Sequence, residues 1–590
     1  MVYELDRRTI LKAFGSLKLS GALGLAGCSG PDEESPPGGL PPDGTPTAGN
    51  GTATAGNGTA TAGRGTPTTK GSPASGYRPA WTPPVDEIPA GGVGVNFELV
   101  GHTPLPDDHQ YRGDSLGMPR GSNGDITVAG DCVYVGSLIG YQPPLIVDVS
   151  DPTDPTVLGP VPDAVPGVGN GVEGIETSGD VLVVDQRRAL GGLGFDVPAG
   201  MPERGLAIYD VSTPRKPELV GRYDYGGRET HTVTLWRDPS NPERLLAVQT
   251  FTDHPSLAVV DLTGCPGDCD PSVVAEWDLR SQLGIDRPTH EAVVSTDGTR
   301  IYAAQYGAGV LTLDSTNLLA ALRGEKTSDP SPPQSTPGEG HCLTVDPDLR
   351  ENLDAQPHLV GEWQHTVLKV PDRPYLLAAT ESGGVEMDAK TGTVQRGTCP
   401  GGRVRLFELG DEGRVVGPDP VGVYGVPEQA AGNCDGKEWA IGGVAKPAWL
   451  SPHDVLAFPD VAFATYYSAG LRAIDISDPT RPVEAGHFFN DPVDRIRWAS
   501  YGVRGDRVTR DGRAVRQPPA AGPHMFAFSY PQFHDGHVVY ADVHSGLYVL
   551  KYTGPHADRL PDEGNCQPAS PGAVKPGYEP CPPYGRTNYE

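Results

Sequence analysis

The sequence predicts an all-β protein, and three observations carry that prediction. From residue 96 onward, short apolar runs rich in Val, Ile, Tyr and Phe alternate with turns of Asp, Pro, Ser and Gly, the pattern of strands joined by hairpins. The runs come in groups of four, most clearly in residues 451–489, with Val455 to Phe458, Val461 to Tyr466, Leu471 to Ile476 and Val483 to Phe488. Turns this short make each group a four-stranded antiparallel sheet. The group also recurs along almost the whole remaining chain. One small sheet cannot bury both its faces, so its neighbours must be copies of itself.

In chain order, the opening DRRTILKAFGSLKLSGALGLAGC places Arg7 and Arg8 before a modest apolar run, Ala13 to Ala26. Lys18 interrupts that run, which is too short to span a membrane. It resembles a twin-arginine export signal, and Leu25-Ala26-Gly27-Cys28 resembles a lipobox whose cysteine is lipidated and becomes the mature N-terminus. Residues 1–27 are therefore expected to be removed. Cys28 is expected to anchor the chain by lipid to the outer face of the cytoplasmic membrane, at the cell surface. Residues 28–95 follow as a Thr/Gly/Pro-rich tether, TPTAGNGTATAGNGTATAG, with too little apolar surface to offset chain entropy. Asn50-Gly-Thr and Asn57-Gly-Thr within it fit the N-glycosylation acceptor pattern.

Residues 96–555 hold the repeat. Each unit is a short strand, a hairpin, a strand ending in an aliphatic-x-Asp-aliphatic sequence, a turn often written SDPTxP, and a closing strand resembling ELVG. Six units are complete. The fourth closes, after a long Pro/Ser/Thr insertion, near Leu359 to Trp363, and the fifth begins at Thr366. The seventh has only three strands, starting with Met525 to Ser529, and its missing strand is supplied by Asn96-Phe-Glu-Leu-Val-Gly101. The expected architecture is thus a seven-bladed β-propeller whose N-terminal strand closes the last blade, leaving no open edge. Residues 556–590 form a Pro-rich tail. The recurring Asp148, Asp210, Asp261, Asp314 and Asp475 are read as acceptors for turn amides.

The 79 glycines and 62 prolines, about a quarter of the chain, fit a tether plus a turn-dense body. A formal net charge of −29 excludes nucleic acid as a partner and leaves the lipid anchor as the sole route to a membrane. Beyond Cys28, eight cysteines remain in a chain read as exported, which favours disulfides. The local candidates are Cys265 with Cys269 and Cys566 with Cys581. No CxxC spacing points to structural zinc.

The strings YYSAGLRAIDISDPTRPVEAGHF, PLIVDVSDPTDPTVLG and GLAIYDVSTPRKPELVG resemble the LVIVD-repeat family of extracytoplasmic β-propellers, and VVYADVHSGLYVLKYTG resembles its closing blade. The resemblance implies a fold and an exported location and no settled chemistry.

Aligning the first strands places His231, His290, His365, His453 and His524 at the entry to the innermost strand of successive blades, with Glu173 at the same position in the second. Imidazoles and one carboxylate converging on a channel mouth could hold iron, copper or zinc, an arrangement similar to the ring of four histidines in carotenoid-cleaving oxygenases. The alternative is that each His hydrogen-bonds backbone of the adjoining blade and repeats for packing. His534, Asp535, His537 and His544 form a second cluster, read as turn and surface residues. Two strings are decoys: Gly113-Asp-Ser-Leu-Gly117 lacks the helix of a nucleophile elbow, and Gly169-Asn-Gly171-Val-Glu-Gly174 runs into a strand where a dinucleotide site needs a helix.

Two functions follow. One is a monomeric lipid-anchored binding module for a protein, glycan or small molecule, its surface built by insertions at 186–204, 323–357, 409–450 and 490–522. The other is a metal-dependent oxidoreductase or hydrolase using the histidine cluster.

Overall fold

The computed structural model is a seven-bladed β-propeller, its first two blades joined by a bridge between Ser137 and Asn170 into one eight-stranded sheet. It describes residues 91–561, leaving out 106–122, 138–142, 165–168, 188–204, 281–287, 307–308, 325–362 apart from 344–345, 382–401 apart from 385–387 and 394–397, 412, 417–418, 428–449, 468, 491–525 apart from 507–508 and 514–515, and 544; beyond 561 it describes 566–567 and 579–580. All described residues lie in one compact unit, and among them no helix is long and apolar enough to cross a membrane.

Blade three shows the regular pattern: Thr230–Arg237, Leu245–Phe251, Ser256–Asp261 and Ser272–Asp278 pair in sequence order, all antiparallel. Blades one, two, four, five and six repeat it. Blade seven is Gln532–His534, His537–Asp542 and Gly546–Tyr552, completed as expected by the N-terminal strand Phe97–Thr103, with Phe97 opposite Tyr552 and His102 opposite Tyr548. Apolar residues of facing blades interlock into cores, such as Phe97, Phe463 and Tyr552 between blades six and seven.

The local rules hold in detail. Asp148, Asp210, Asp261, Asp314 and Asp475 each accept the backbone N–H two residues on, at 2.8–3.0 Å, closing the turn after the third strand, which at Asp314 leads into the helix Thr316–Leu322. Glycine opens the third strand where the fourth approaches closely. At Gly470 (φ 74°) and Gly546 (φ 116°) a Cβ would collide with the carbonyls of Phe488 and Thr103. The GxGxxG string is part of strand Gly169–Ser178, as a decoy should be. Gly113 to Gly117 lies outside the described residues.

Three elements differ from expectation. Blade four closes with Thr344–Val345, while Trp363 begins the first strand of blade five. Blade seven begins at Gln532; the preceding stretch runs beside its second strand, with Ala527 bridging Tyr467 and Asp542 and with backbone bonds from Phe528 and Ser529 to the Ala541 carbonyl and from Val543 to the Phe526 carbonyl, but forms no regular strand. A fifth strand, Val93–Val95, pairs with His487 to Phe489 on the outside of blade six. Each difference is a strand of two or three residues, too short for a period-two pattern to register. Cys265 and Cys269 form a disulfide. Cys581, the expected partner of Cys566, lies outside the described residues, as do Arg7, Arg8 and Cys28.

Candidate functional site

The first strands of several blades reach the channel by one device. Pairing register slips between Asn170 and Ile175 in blade two, Thr230 and Val233 in blade three, Thr289 and Glu291 in blade four, and Gln364 and Thr366 in blade five. A bulge re-aims the side chain it carries, and the residues at these slips are Glu173, His231, His290 and His365. His453 precedes Val455–Ala457, its N–H donating to the Thr465 carbonyl at 2.8 Å. His524 lies outside the described residues.

The imidazoles follow one another in blade order. Ring centroids are 4.2 Å apart for His231 and His290, 3.5 Å for His290 and His365, and 4.1 Å for His365 and His453. None of these histidines, nor Glu173, is more than 5% exposed. Glu173 Oε2 stands 3.2 Å from His231 Nε2 and 3.0 Å from His290 Nε2. Donor atoms of Glu173, His231 and His290 lie within 4.8 Å of one another, and so do those of Glu173, His365 and His453. One carboxylate therefore belongs to both triads.

A surrounding set of side chains fixes these rings. Asp454 accepts from His453 Nδ1 at 2.7 Å, and the Phe528 carbonyl of blade seven lies at the same distance. His453 Nε2 is left buried with no hydrogen-bond partner. The Thr366 hydroxyl sits 2.9 Å from His365 Nδ1 and 2.8 Å from both the His453 carbonyl and Asp454 Oδ1. Tyr467 donates to Glu381, which lies 4.0 Å from His365 Nε2. Tyr530 spans the channel from blade seven to donate to Glu291 of blade four, and Glu291 also accepts the Val367 N–H of blade five at 3.0 Å. Aromatic and carboxylate side chains thus fill a channel whose width would otherwise separate the imidazoles.

Burial, with the neighbouring His290 and His453, holds the His365 pKa well below the usual histidine range, so this ring is neutral. Burial also pulls on His453, but the Asp454 carboxylate and its hydrogen bond hold it up at about 9. Burial raises the Glu381 carboxyl above its usual range despite the Tyr467 hydroxyl. The neutral His365 ring can ligate as it stands, His453 once an ion displaces its proton, and a carboxyl of raised pKa beside a phenol can pass a proton.

Packing and convergence both occur. His453 does bond backbone of the adjoining blade, whereas for His290 and His453 as acceptors the bond comes from the residue after the preceding blade's histidine: Thr232 and Thr366 donate to their carbonyls at 2.8 Å. Sequence reasoning missed Glu381, Asp454, Glu291, Tyr467 and Tyr530. A signal existed for two of them, because Glu291 and Asp454 directly follow aligned histidines.

The LVIVD repeat model matches residues 120–163, 201–225 and 462–489, in blades one, two and six. The chain therefore carries LVIVD repeats on a seven-bladed β-propeller. No curated protein matches the sequence. Among solved structures it is similar to Sqt1 of Chaetomium thermophilum, at 12% identity and a TM-score of 0.39, over 78% of this chain and 99% of that one. It is also similar to the same protein bound to the N-terminus of the ribosomal protein L10, at 10% identity and a TM-score of 0.38, over 77% and 99%.

Proposed function

We propose that the protein is a metal-dependent enzyme whose ion is held at Glu173, either with His231 and His290 or with His365 and His453. The observation that carries this reading is the position of Glu173 Oε2, 3.0 and 3.2 Å from two imidazole nitrogens. Donors bonded at about 2.1 Å to one ion stand about 3 Å apart along an edge of the coordination polyhedron. The donor set of imidazoles and one carboxylate, without thiolate, suits iron, copper or zinc. Asp454 supports it by holding His453 Nδ1, the orientation that turns Nε2 inward as a ligand. Such an ion would supply Lewis acidity or electron transfer, and the chain's own Glu381 and Tyr467 stand beside it to take or give a proton. A redox-active ion makes the enzyme an oxidoreductase, zinc a hydrolase.

The protein would work outside the cell membrane, exported and tethered through Cys28, as the N-terminal motifs lead one to expect. Metal analysis of the purified protein tests the proposal. About one iron, copper or zinc per chain is expected in the wild type and little in His290→Ala and His453→Ala. A wild type without stoichiometric metal overturns the proposal and leaves a propeller that binds a protein, glycan or small molecule through its loops.

A further inference from the structure

Away from the histidines, neighbouring blades meet through the hairpins after their inner strands and the turns after their third strands. At four of these seams an arginine bridges the two blades. Arg215 of blade two pairs with Asp148 of blade one. Arg237 of blade three donates to the Ser178 carbonyl of blade two at 2.9 Å. Arg323 of blade four binds Asp238 of blade three at 2.7 Å, and Arg373 of blade five donates to the Pro459 carbonyl of blade six at 2.9 Å.

The closing seam, where blade seven meets blade one, is built otherwise. Asp131, in the first hairpin of blade one, faces His534 and Asp535 in the first hairpin of blade seven, and one donor atom from each lies within 4.8 Å of the others. Among the described residues no arginine or lysine pairs with either carboxylate. His534 is 7% exposed, yet neither of its ring nitrogens has a hydrogen-bond partner, a costly state for a buried imidazole. Its Nε2 stands 3.7 Å from Asp535 Oδ2, outside hydrogen-bond range. His537, directly across the hairpin from His534, brings no carboxylate or cation that would satisfy it.

We propose that this seam binds a divalent first-row cation such as zinc or manganese, with His534, Asp131 and Asp535 as ligands and water in the remaining positions. Two carboxylates and a buried imidazole supply the negative charge and the nitrogen donor that such ions select. Both carboxylates are exposed on turns, so their side chains can close the remaining distance. The bound cation takes the place that arginine holds at those four seams. It fastens the hairpin of blade one to that of blade seven, where the two ends of the ring join.

The test uses the full chain, stripped with chelator, dialysed against zinc and assayed for metal per chain. The wild type is expected to hold about one zinc more than Asp131→Asn, Asp535→Asn or His534→Ala, and its zinc-dependent rise in unfolding midpoint should vanish in each. The two asparagine variants alter exposed turns and serve if the histidine variant fails to fold. Equal zinc content and equal zinc-dependent stabilisation in wild type and in the asparagine variants would overturn the proposal. In a His290→Ala background, which lacks the axial ion, adding Asp131→Asn should still remove about one zinc per chain, and that remaining difference separates this site from the axial one.

Discussion

The inner strand of blade three carries buried charge at both ends, and the two ends are solved differently. Asp238, fully buried beyond the hairpin end, accepts from Arg244 at 2.8 Å, from Arg323 at 2.7 and 3.0 Å, and from the Ser240 hydroxyl at 2.6 Å. His231, at the channel end, meets Glu173 and another imidazole. Arginine keeps its charge at any pH a protein survives, so the Asp238 end is a closed structural pair. Imidazole can shed its proton and offer a lone pair, so the Glu173 end is a set of ligands that can be filled. Buried carboxylates alike in burial therefore serve opposite purposes, according to the cation chosen to face them.

Breaking the arginine end should cost most. Asp238→Ala takes from two arginines the carboxylate that balances their charge, and urea unfolding should show a loss of about 3–5 kcal/mol. A loss no larger than that of a surface substitution would show that the seam is solvated after all. At the histidine end the effect should run through metal. Supplying the ion at about a hundredfold its Kd for this site should stabilise the wild type by about 2.7 kcal/mol more than a His290→Ala, His453→Ala double variant; chelator should reverse the gain, read as a shift in melting temperature.

A smaller effect separates the two ends by pH. Although burial opposes it, hydrogen bonds from Arg323, Ser240 and Arg244 hold the Asp238 pKa well below the usual carboxylate range. A depressed folded pKa gives stability that is present above about pH 4 and lost as pH falls further. The stability gap between wild type and Asp238→Asn should accordingly be full at pH 7 and shrink from pH 4 downward, as measured by denaturant midpoints; a gap independent of pH would remove the ionic account. Smallest of all should be Arg215→Ala. Its pair with Asp148 is 46% exposed on the arginine side, and its loss should stay below about 1 kcal/mol.

Much of this was legible along the chain. The repeat gave seven blades, the ELVG match of residues 96–101 gave the closing strand, and alignment of first strands put His231, His290, His365, His453 and Glu173 at one level, together with His524, which lies outside the described residues. The shortest strands, Val93–Val95 and Thr344–Val345, left too few residues for a pattern. Glu381 lies at the end of a second strand, with nothing in its neighbours to mark it as facing the channel. Tyr530 meets Glu291 across 239 residues of sequence, a pairing no local rule can anticipate.

The sequence by itself determined the blade count, the closure of the ring and the level at which the histidines enter, because strand alternation and turn chemistry depend on residues a few positions apart. Only the tertiary structure decided which carboxylates face imidazoles and which face arginines. Those pairings form between blades, where residues far apart in the chain are brought together by the ring, and the energy of each depends on burial that no single repeat can foretell.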